Sequence, residues 1–388
     1  MRNIKLFNKI SRAGLDLLDR ENYYVSENLE DYEAVLVRSA NLHEVEFPEG
    51  LKCIARAGAG VNNIPLEKCA EKGIVVFNTP GANANAVKEL VICALLMSSR
   101  RIIDGINWTK TLAGNGEEIP KMVEKGKSSF VGPEVEGKKL GIIGLGAIGV
   151  MVANAAVGLG MKVYGYDPYL SVGAALKMTR SVHHVVDLKE IFTECDYITM
   201  HVPLNKTTDK MINAESIAMM KQGVRIMNFA RKELVDEAAM IDALDRAKVA
   251  CYVTDFASEN LIGAEGTIVL PHLGASTPES EDNCAKMAVS EIIGYLEEGN
   301  IKNSVNFPMV VIPKEAKTRI CIMNKNIPNV VGAISTLLAE HGVNIEHMAN
   351  RAKGNWAYTI VDTEEDVPDG IVEKIRTVEG VISVRVIQ

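Results

Sequence analysis

Three charged side chains follow strand-like runs in the middle of the chain. They are Arg231 in NFARKELVDE, Glu259 in VTDFASEN and His272 in VLPHLGAST. Singly, each has an ordinary structural explanation: a surface ion pair, a solvated loop residue and a turn cap. Together they supply three groups. The guanidinium is a cation for a substrate carboxylate and C2 oxygen, the imidazole is a group that titrates near neutrality, and the carboxylate can orient that imidazole. Hydride transfer at a 2-hydroxy acid requires this set, so we predict these three residues as catalytic.

A glycine-rich turn predicts a dinucleotide site. The apolar run Leu140–Ile143 leads into Gly144-x-Gly146-x-x-Gly149, and a small-residue helical segment follows. In such a turn the glycines allow a tight bend, close approach of a pyrophosphate to the backbone, and packing of helix on strand. Asp167 lies 18 residues after Gly149, where a carboxylate accepts both ribose hydroxyls. Asp167 would repel the 2′-phosphate of NADP, and the next three residues, Pro168 to Leu170, supply no Arg or Lys, so we expect NAD.

Composition limits the class of protein. The chain has 388 residues, 47% hydrophobic and 24% charged, which indicates a globular protein of two or three domains. A net charge of −8 argues against a nucleic-acid partner. Seven cysteines are scattered singly, which favours buried free thiols and no metal site. No signal peptide or membrane span is recognisable, so we expect a cytoplasmic protein without a membrane partner.

The order of apolar runs predicts an α/β fold with two doubly wound parallel sheets and a smaller C-terminal domain. Short strands before and after the glycine-rich turn are separated by helical patterns, with long helices near Asn85–Arg101 and Pro278–Leu296. Residues 303–316 contain two prolines and are interpreted as a linker. Beyond it, residues 317–388 show the β-α-β-β-α-β order of a ferredoxin-like domain.

Motifs along nearly the whole chain resemble the D-isomer-specific 2-hydroxyacid dehydrogenase family. They are VRSA (37–40), RAGAGVNNI (56–64), NTPGANANAVKEL (78–90), GLGAIG, YDPY, HVPL, NFAR, PHLGAST and GVNI. The resemblance implies a discontinuous substrate domain (1–96 and 279–308), a Rossmann NAD domain (97–278) and a C-terminal ACT-like regulatory domain (317–388). It places the active site in the cleft between the first two domains and implies a homodimer or homotetramer.

The resemblance also assigns roles to individual residues. Arg231 would bind the substrate carboxylate and carbonyl, His272 would be the acid–base, and Glu259 its partner. Arg38 and Arg56, with Ala57 and Gly58, would hold an anionic substrate, although ordinary ion pairs at strand ends are the alternative. The implied cofactor-binding residues are Gly144, Gly146, Ala147, Ile148, Gly149, Asp167, Val202, Phe229, Ala230, Asp255, Gly274 and Ala275. The spacing from Asp255 to Glu259 is one residue shorter than is usual in the family, and Lys232 stands where the family usually has Gly.

Within the family, the C-terminal extension and the two arginines imply NAD-dependent oxidation of D-3-phosphoglycerate to 3-phosphohydroxypyruvate, the first step of L-serine biosynthesis. The alternatives are a glyoxylate, hydroxypyruvate or other D-2-hydroxyacid reductase of the family, and a NAD-sensing regulatory protein on the same fold. Asn324, Asn326 and Asn344 would bind an amino-acid effector, with L-serine as the candidate. The alternative is that this region serves only to assemble the oligomer. Asn324 favours that alternative because it replaces the His of the best-known serine-binding domains.

Overall fold

The computed structural model describes residues 1–388, which form two compact units. The terminal unit combines Met1–Asn83 with Pro278–Gln388, and the central unit is Ala84–Thr277. Both contain a parallel sheet, and the terminal unit also contains an antiparallel one. The predicted fold class is therefore confirmed. None of the helices combines the length and apolar character needed to cross a membrane.

The first sheet of the terminal unit has five parallel strands in the order β2-β1-β3-β4-β5. Its strands are β1 (Arg2–Leu6), β2 (Tyr23–Ser26), β3 (Ala34–Val37), β4 (Cys53–Arg56) and β5 (Val75–Phe77), with short helices α1 (Arg12–Leu15) and α2 (Leu66–Glu71). All four β3 residues are buried, as expected of a strand covered on both faces. The edge strand β2, with its mixed sequence YYVS, lacks the apolar run that identified the other four.

The central unit contains a seven-stranded parallel sheet in the order β12-β11-β10-β9-β6-β7-β8. The strands are β6 (Lys139–Ile143), β7 (Lys162–Tyr166), β8 (His183–Val185), β9 (Tyr197–Met200), β10 (Val224–Asn228), β11 (Val249–Thr254) and β12 (Thr267–Val269). The helices are α3 (Ala84–Ser99), α4 (Ile102–Thr111), α5 (Ile119–Gly126), α6 (Ala147–Gly158), α7 (Val172–Lys177), α8 (Leu188–Glu194), α9 (Ala214–Met219), α10 (Glu237–Asp245) and α11 (Glu259–Ile262). The strand order reverses between β6 and β9, where doubly wound sheets place their ligands.

The long helix α12 (Pro278–Glu298) belongs to the terminal unit. It packs against α1 so closely that a Cβ on Gly14 would collide with the backbone of Ala285. The Ser11 hydroxyl also donates a short hydrogen bond to Asp282. The sequence predicts this helix with the correct start, and the structure extends it two residues beyond Leu296.

The C-terminal segment forms an antiparallel sheet of order β14-β15-β13-β16. Its elements are β13 (Thr318–Lys325), α13 (Val330–Glu340), β14 (His347–Lys353), β15 (Trp356–Thr363), α14 (Asp369–Arg376) and β16 (Val381–Ile387). The predicted β-α-β-β-α-β order is thus confirmed. Alternating β13 residues face opposite ways: Ile320 and Ile322 join the core under α13 and α14, whereas Cys321 and Met323 join the core around α12 and the first sheet.

Residues 303–316, interpreted as a linker, pack tightly against the rest of the terminal unit. Phe307 is fully buried, and Val310 is nearly so. The Asn306 side chain accepts a hydrogen bond from the Val76 N–H and donates one to the Ile74 carbonyl, both at 2.9 Å. The two prolines correctly indicate a segment without helix. They do not indicate whether such a segment is a loose linker or is extended and buried.

Side chains of the antiparallel sheet cap the carboxyl end of α12. Arg319 is fully buried, and its guanidinium donates to both oxygens of Asp362 at 2.6 and 2.7 Å. It also donates to the main-chain carbonyls of Glu298, Ile312 and Pro313. Arg385 donates to the Tyr295 carbonyl at 2.6 Å, and the Tyr358 hydroxyl to the Gly299 carbonyl at 2.6 Å. The carbonyls that a helix end leaves unpaired are thereby satisfied by the sheet.

Replacing Arg319 should destabilise the terminal unit strongly. Arg319→Met strands the Asp362 carboxylate in the core, and we expect a loss of about 3–5 kcal/mol of unfolding free energy. The matched control is Lys317→Met, two residues before Arg319 in the chain. It breaks the exposed ion pair between Lys317 and Asp366 and should cost about 0–1 kcal/mol of unfolding free energy. Thermal and urea unfolding followed by circular dichroism would measure both. Equal, small effects of the two substitutions would contradict the role given to Arg319.

Candidate active site

The glycine-rich turn of the central unit has the shape a pyrophosphate needs. Gly144 has φ +96°, and a Cβ there would lie 2.6 Å from the His201 carbonyl oxygen. A Cβ on Gly149 would collide with the Gly144 carbonyl, so the start of α6 can approach its strand only without a side chain. A Cβ on Gly146 would meet no atom within 4 Å. The backbone at Gly146 therefore faces open space.

Helix α6 begins immediately after this turn and runs for 12 residues without an acidic residue in its first turn. The N–H groups of Ala147, Ile148 and Gly149 lie in that first turn, where a helix leaves its donors unpaired. Together with the positive end of the helix dipole they favour an anion.

Asp167 follows β7, and its carboxylate is held beside the glycine-rich turn. One oxygen accepts a hydrogen bond from the Leu145 N–H at 2.9 Å, and the other from the Tyr169 N–H at 2.8 Å. The side chain is therefore oriented by main-chain groups, as an acid that binds a ribose must be.

Asp255 lies just beyond β11 and is 3% exposed. Its Oδ2 accepts a hydrogen bond from the Gly274 N–H at 3.2 Å, whereas its Oδ1 is buried without a partner. Burial raises the pKa of Asp255, and the charge of His272 opposes that rise. A buried acceptor with an unused oxygen suits an amide N–H such as that of a nicotinamide carboxamide. The residues present fit a bound NAD.

His272 follows β12, at the end of the sheet where its strands have their carboxyl termini, and it is exposed. It has φ +50°, and its ring meets the Phe256 ring edge-on at 5.3 Å between centroids. For His201, the other histidine that follows a central strand, burial lowers the pKa to about 4. A ring with that pKa is a poor proton acceptor near neutrality, which leaves His272 as the candidate acid–base.

Arg231 is exposed and forms no ion pair, so its charge is available to an anion. Its loop is fixed by Asn228, a fully buried residue that ends β10. The Asn228 side chain donates to the Arg231 carbonyl at 2.8 Å and accepts from the Ala230 N–H at 3.1 Å. Sequence reasoning did not single out Asn228, although a buried amide directly before a predicted catalytic loop was a usable signal.

Glu259 begins α11 behind its N-cap Ser258 and is exposed. It makes no hydrogen bond or ion pair with His272. The role of Glu259 as the partner of His272 stays a prediction.

The other predicted cofactor residues also follow central strands. Val202 comes after β9, Phe229 and Ala230 after β10, and Gly274 and Ala275 after β12. Because parallel strands end at one edge of a sheet, the topology brings these positions to the same edge as the glycine-rich turn.

In the terminal unit, Arg38 and Arg56 follow or end the neighbouring strands β3 and β4. The Arg56 Nε donates to the Arg38 carbonyl at 3.0 Å, and Arg38 Nη1 lies 2.7 Å from Glu281 Oε1 on α12. The Ala57 N–H donates to Val37. Gly58 has φ +152°, and a Cβ there would collide with the Arg56 guanidinium. The structure thus brings together all four predicted substrate residues of this unit, and adds Glu281.

The predicted effector residues are not brought together in this way. Asn324 is 2% exposed, and its amide donates to the Lys325 carbonyl while its oxygen accepts from Thr359. Asn326 donates to the Gly354 carbonyl, and the exposed Asn344 to Glu346. Asn344 is exposed, and it donates its hydrogen bond to an exposed side chain, that of Glu346.

Comparison with known proteins places the chain in a family. Residues 92–274 match the family model described as D-isomer specific 2-hydroxyacid dehydrogenase, NAD binding domain. The D-3-phosphoglycerate dehydrogenase of Escherichia coli K12 is 31% identical over 386 residues, covering 94% of this chain and 88% of the relative. This chain belongs to the D-isomer-specific 2-hydroxyacid dehydrogenases. It is accordingly a NAD-dependent dehydrogenase, which confirms the predicted family, enzyme class and cofactor.

Other similar proteins agree with this result. The D-3-phosphoglycerate dehydrogenase of Methanocaldococcus jannaschii is 36% identical over 302 residues, which cover 76% of this chain and 55% of that protein. Among solved structures, the NAD⁺-bound 3-phosphoglycerate dehydrogenase of Entamoeba histolytica has a TM-score of 0.61 at 28% identity, covering 80% of this chain and 99% of that one. A glyoxylate reductase from Paecilomyes thermophila, with a TM-score of 0.66 at 23% identity, shares the fold over 78% of this chain.

Removing the charge of Asp167 should weaken the preference of this dehydrogenase for NAD. Asp167→Asn keeps an acceptor for the Leu145 N–H but loses the charge and one acceptor for ribose. We expect kcat/KM with NAD to fall by about 10- to 100-fold, the worth of a charge-assisted hydrogen bond, and the gap to NADP to narrow. The control is Asp187→Asn, at the N-cap of α8. Equal use of both cofactors by the unmodified enzyme would defeat the argument.

Proposed function

We propose that this dehydrogenase oxidises D-3-phosphoglycerate to 3-phosphohydroxypyruvate with NAD, the entry step of L-serine biosynthesis. The observation that carries the proposal is the pair Arg38 and Arg56, joined by the bond from Arg56 Nε to the Arg38 carbonyl. Two guanidiniums on neighbouring strand ends provide for a second anionic group beyond the carboxylate that every 2-hydroxy acid carries. The names of the Escherichia coli and Entamoeba histolytica relatives support the same substrate.

The residues of the central unit would perform the chemistry. Arg231, which has no ion-pair partner, would hold the substrate carboxylate and polarise the C2 oxygen. A ring nitrogen of His272 would take the hydroxyl proton as the C2–O bond becomes a carbonyl. Bound NAD⁺ supplies the acceptor for the hydride that leaves C2. Glu259 would orient the His272 ring, and the buried Asp255, which accepts a hydrogen bond from the Gly274 N–H, would lie on the nicotinamide side of the cofactor.

A substrate comparison tests the proposal. Oxidation of D-3-phosphoglycerate, D-glycerate and D-lactate by the purified enzyme with NAD would be followed by NADH absorbance. We expect kcat/KM for the phosphorylated substrate to exceed that for D-glycerate by about 10- to 100-fold, since the difference is a charge-assisted contact. Equal values, or faster reduction of glyoxylate or hydroxypyruvate, would favour another reductase of the family. Absence of turnover with intact NAD binding would favour a NAD-sensing protein.

Arg56→Ala should separate the substrates. The substitution removes the Arg56 guanidinium and its hydrogen bond to the Arg38 carbonyl. We therefore expect kcat/KM for D-3-phosphoglycerate to fall by about 10- to 100-fold, and kcat/KM for D-glycerate to fall far less. Arg20→Ala, an exposed arginine of the same unit, is the control. An equal loss on both substrates would assign Arg56 to the carboxylate or to structure alone.

His272→Ala should reduce turnover by about 10²–10⁴-fold and leave NADH binding nearly intact. NADH fluorescence titration would measure the binding, and saturating steady-state assays the turnover. His184→Ala, an exposed histidine in β8 of the same unit, provides the comparison. Weaker cofactor binding with near-normal turnover would make His272 a structural residue.

We further propose that the C-terminal sheet is an ACT-like regulatory domain that binds L-serine at a seam between two copies of a homodimer or homotetramer. One face of this sheet is buried against α12 and the five-stranded sheet of the same unit, so pairing would use the edge strand β14 or the helices α13 and α14. Adding L-serine to the dehydrogenase assay tests regulation. Light-scattering mass measurements with and without L-serine test the oligomeric state. Deleting residues 310–388 would uncover the core around α12, so the intact chain is the better subject. An enzyme indifferent to amino acids would leave assembly as the role.

A further inference from the structure

The loop that carries Arg38 is organised around a single side-chain oxygen. Asn8 Oδ1 accepts hydrogen bonds from the N–H groups of three successive residues, Arg38, Ser39 and Ala40, at 3.0, 3.0 and 2.9 Å. A carboxamide oxygen has two lone pairs, so three donors make full use of it. Because the three N–H groups converge on one point, the main chain of the loop curves around the Asn8 side chain.

The carbonyl groups of the same loop are also held. Arg56 Nε donates to the Arg38 carbonyl at 3.0 Å, and Asn63 Nδ2 to the Ala40 carbonyl at 2.7 Å. Arg38 is part of this loop, and Arg56 donates to it. The position of both guanidiniums relative to each other therefore depends on where the loop lies.

The fold fixes Asn8 itself. It follows β1, which pairs in parallel with β3, and the Phe7 N–H continues that pairing by donating to the Leu36 carbonyl at 3.1 Å. Asn8 thus lies beside the end of the strand that leads into Arg38. The Asn8 oxygen accepts from main-chain donors, so it organises the loop, and the charge that an anion requires comes from the arginines.

We propose that Asn8 is a positioning residue that sets the placement of Arg38 and Arg56 for the anionic substrate without touching it. The inference rests on the proposed function, in which these arginines bind that substrate. The hydrogen bonds of Asn8 are half-buried or exposed, so water replaces the lost acceptor and the fold survives its removal. The loss therefore falls on substrate binding.

Asn8→Ala should raise KM for D-3-phosphoglycerate by about 10- to 100-fold, the cost of misplacing binding groups by a fraction of an ångström to an ångström. We expect kcat and KM for NAD to change little, since the arginines bind substrate and transition state alike. Asn3→Ala, at the opposite end of β1, is the matched control because its amide donates to the Asp31 carbonyl, away from the loop. A wild-type KM for Asn8→Ala overturns the proposal.

A mutant cycle distinguishes action through the two arginines from an independent effect. If Asn8 acts by placing Arg38 and Arg56, Asn8→Ala should add little to the KM of the variant that carries both Arg38→Ala and Arg56→Ala. Effects that multiply in full overturn the proposal and make Asn8 an independent contributor to binding.

Hydrogen exchange gives a measurement that does not depend on the substrate. The amides of residues 38–40 should exchange faster in Asn8→Ala and regain protection in Asn8→Asp, which restores an oxygen acceptor. Unchanged exchange in Asn8→Ala contradicts the positioning role. If the unmodified enzyme does not prefer D-3-phosphoglycerate, the proposed function fails. The exchange experiment, with the cycle repeated on the 2-hydroxy acid that is oxidised, then decides the role of Asn8 separately.

Discussion

The carboxyl end of α12 is the point on which the arrangement of the terminal unit depends. The fully buried Arg319 and the half-buried Arg385 both donate to main-chain carbonyls there, and only Arg319 has a carboxylate partner. Arg385 is instead placed against main-chain carbonyls of the last helical turns and over the ring of Tyr295, at 4.3 Å from its centroid. The negative end of the helix dipole and the electron-rich ring face compensate a charge that would otherwise be costly to bury.

This cap has a consequence for the opposite end of the same helix. α12 carries Glu281 in its first turn, and Glu281 pairs with Arg38, while Asp282 binds Ser11. One helix therefore contacts both the C-terminal sheet and the arginine proposed to hold substrate.

The glycine-rich turn and the pair Arg38 and Arg56 offer an anion two physically different kinds of site. In the central unit the glycine-rich turn offers main-chain N–H groups and a helix terminus, which requires the absence of side chains at Gly144, Gly146 and Gly149. In the terminal unit the proposed binding groups are long guanidiniums, and the loop that carries Arg38 is held by the Asn8 side chain. The overall charge of −8 shows that neither site relies on a generally basic surface.

The sequence by itself determined whatever depends on local pattern. Apolar runs located most strands of the parallel sheets, β-α-β-β-α-β order fixed the C-terminal topology, and the spacing from Gly149 to Asp167 predicted the cofactor. Only the tertiary structure decided what depends on contacts between distant segments. The Asn8 oxygen meets residues 38–40, Glu281 meets Arg38, and Arg319 caps a helix, because strand order and helix return bring them together.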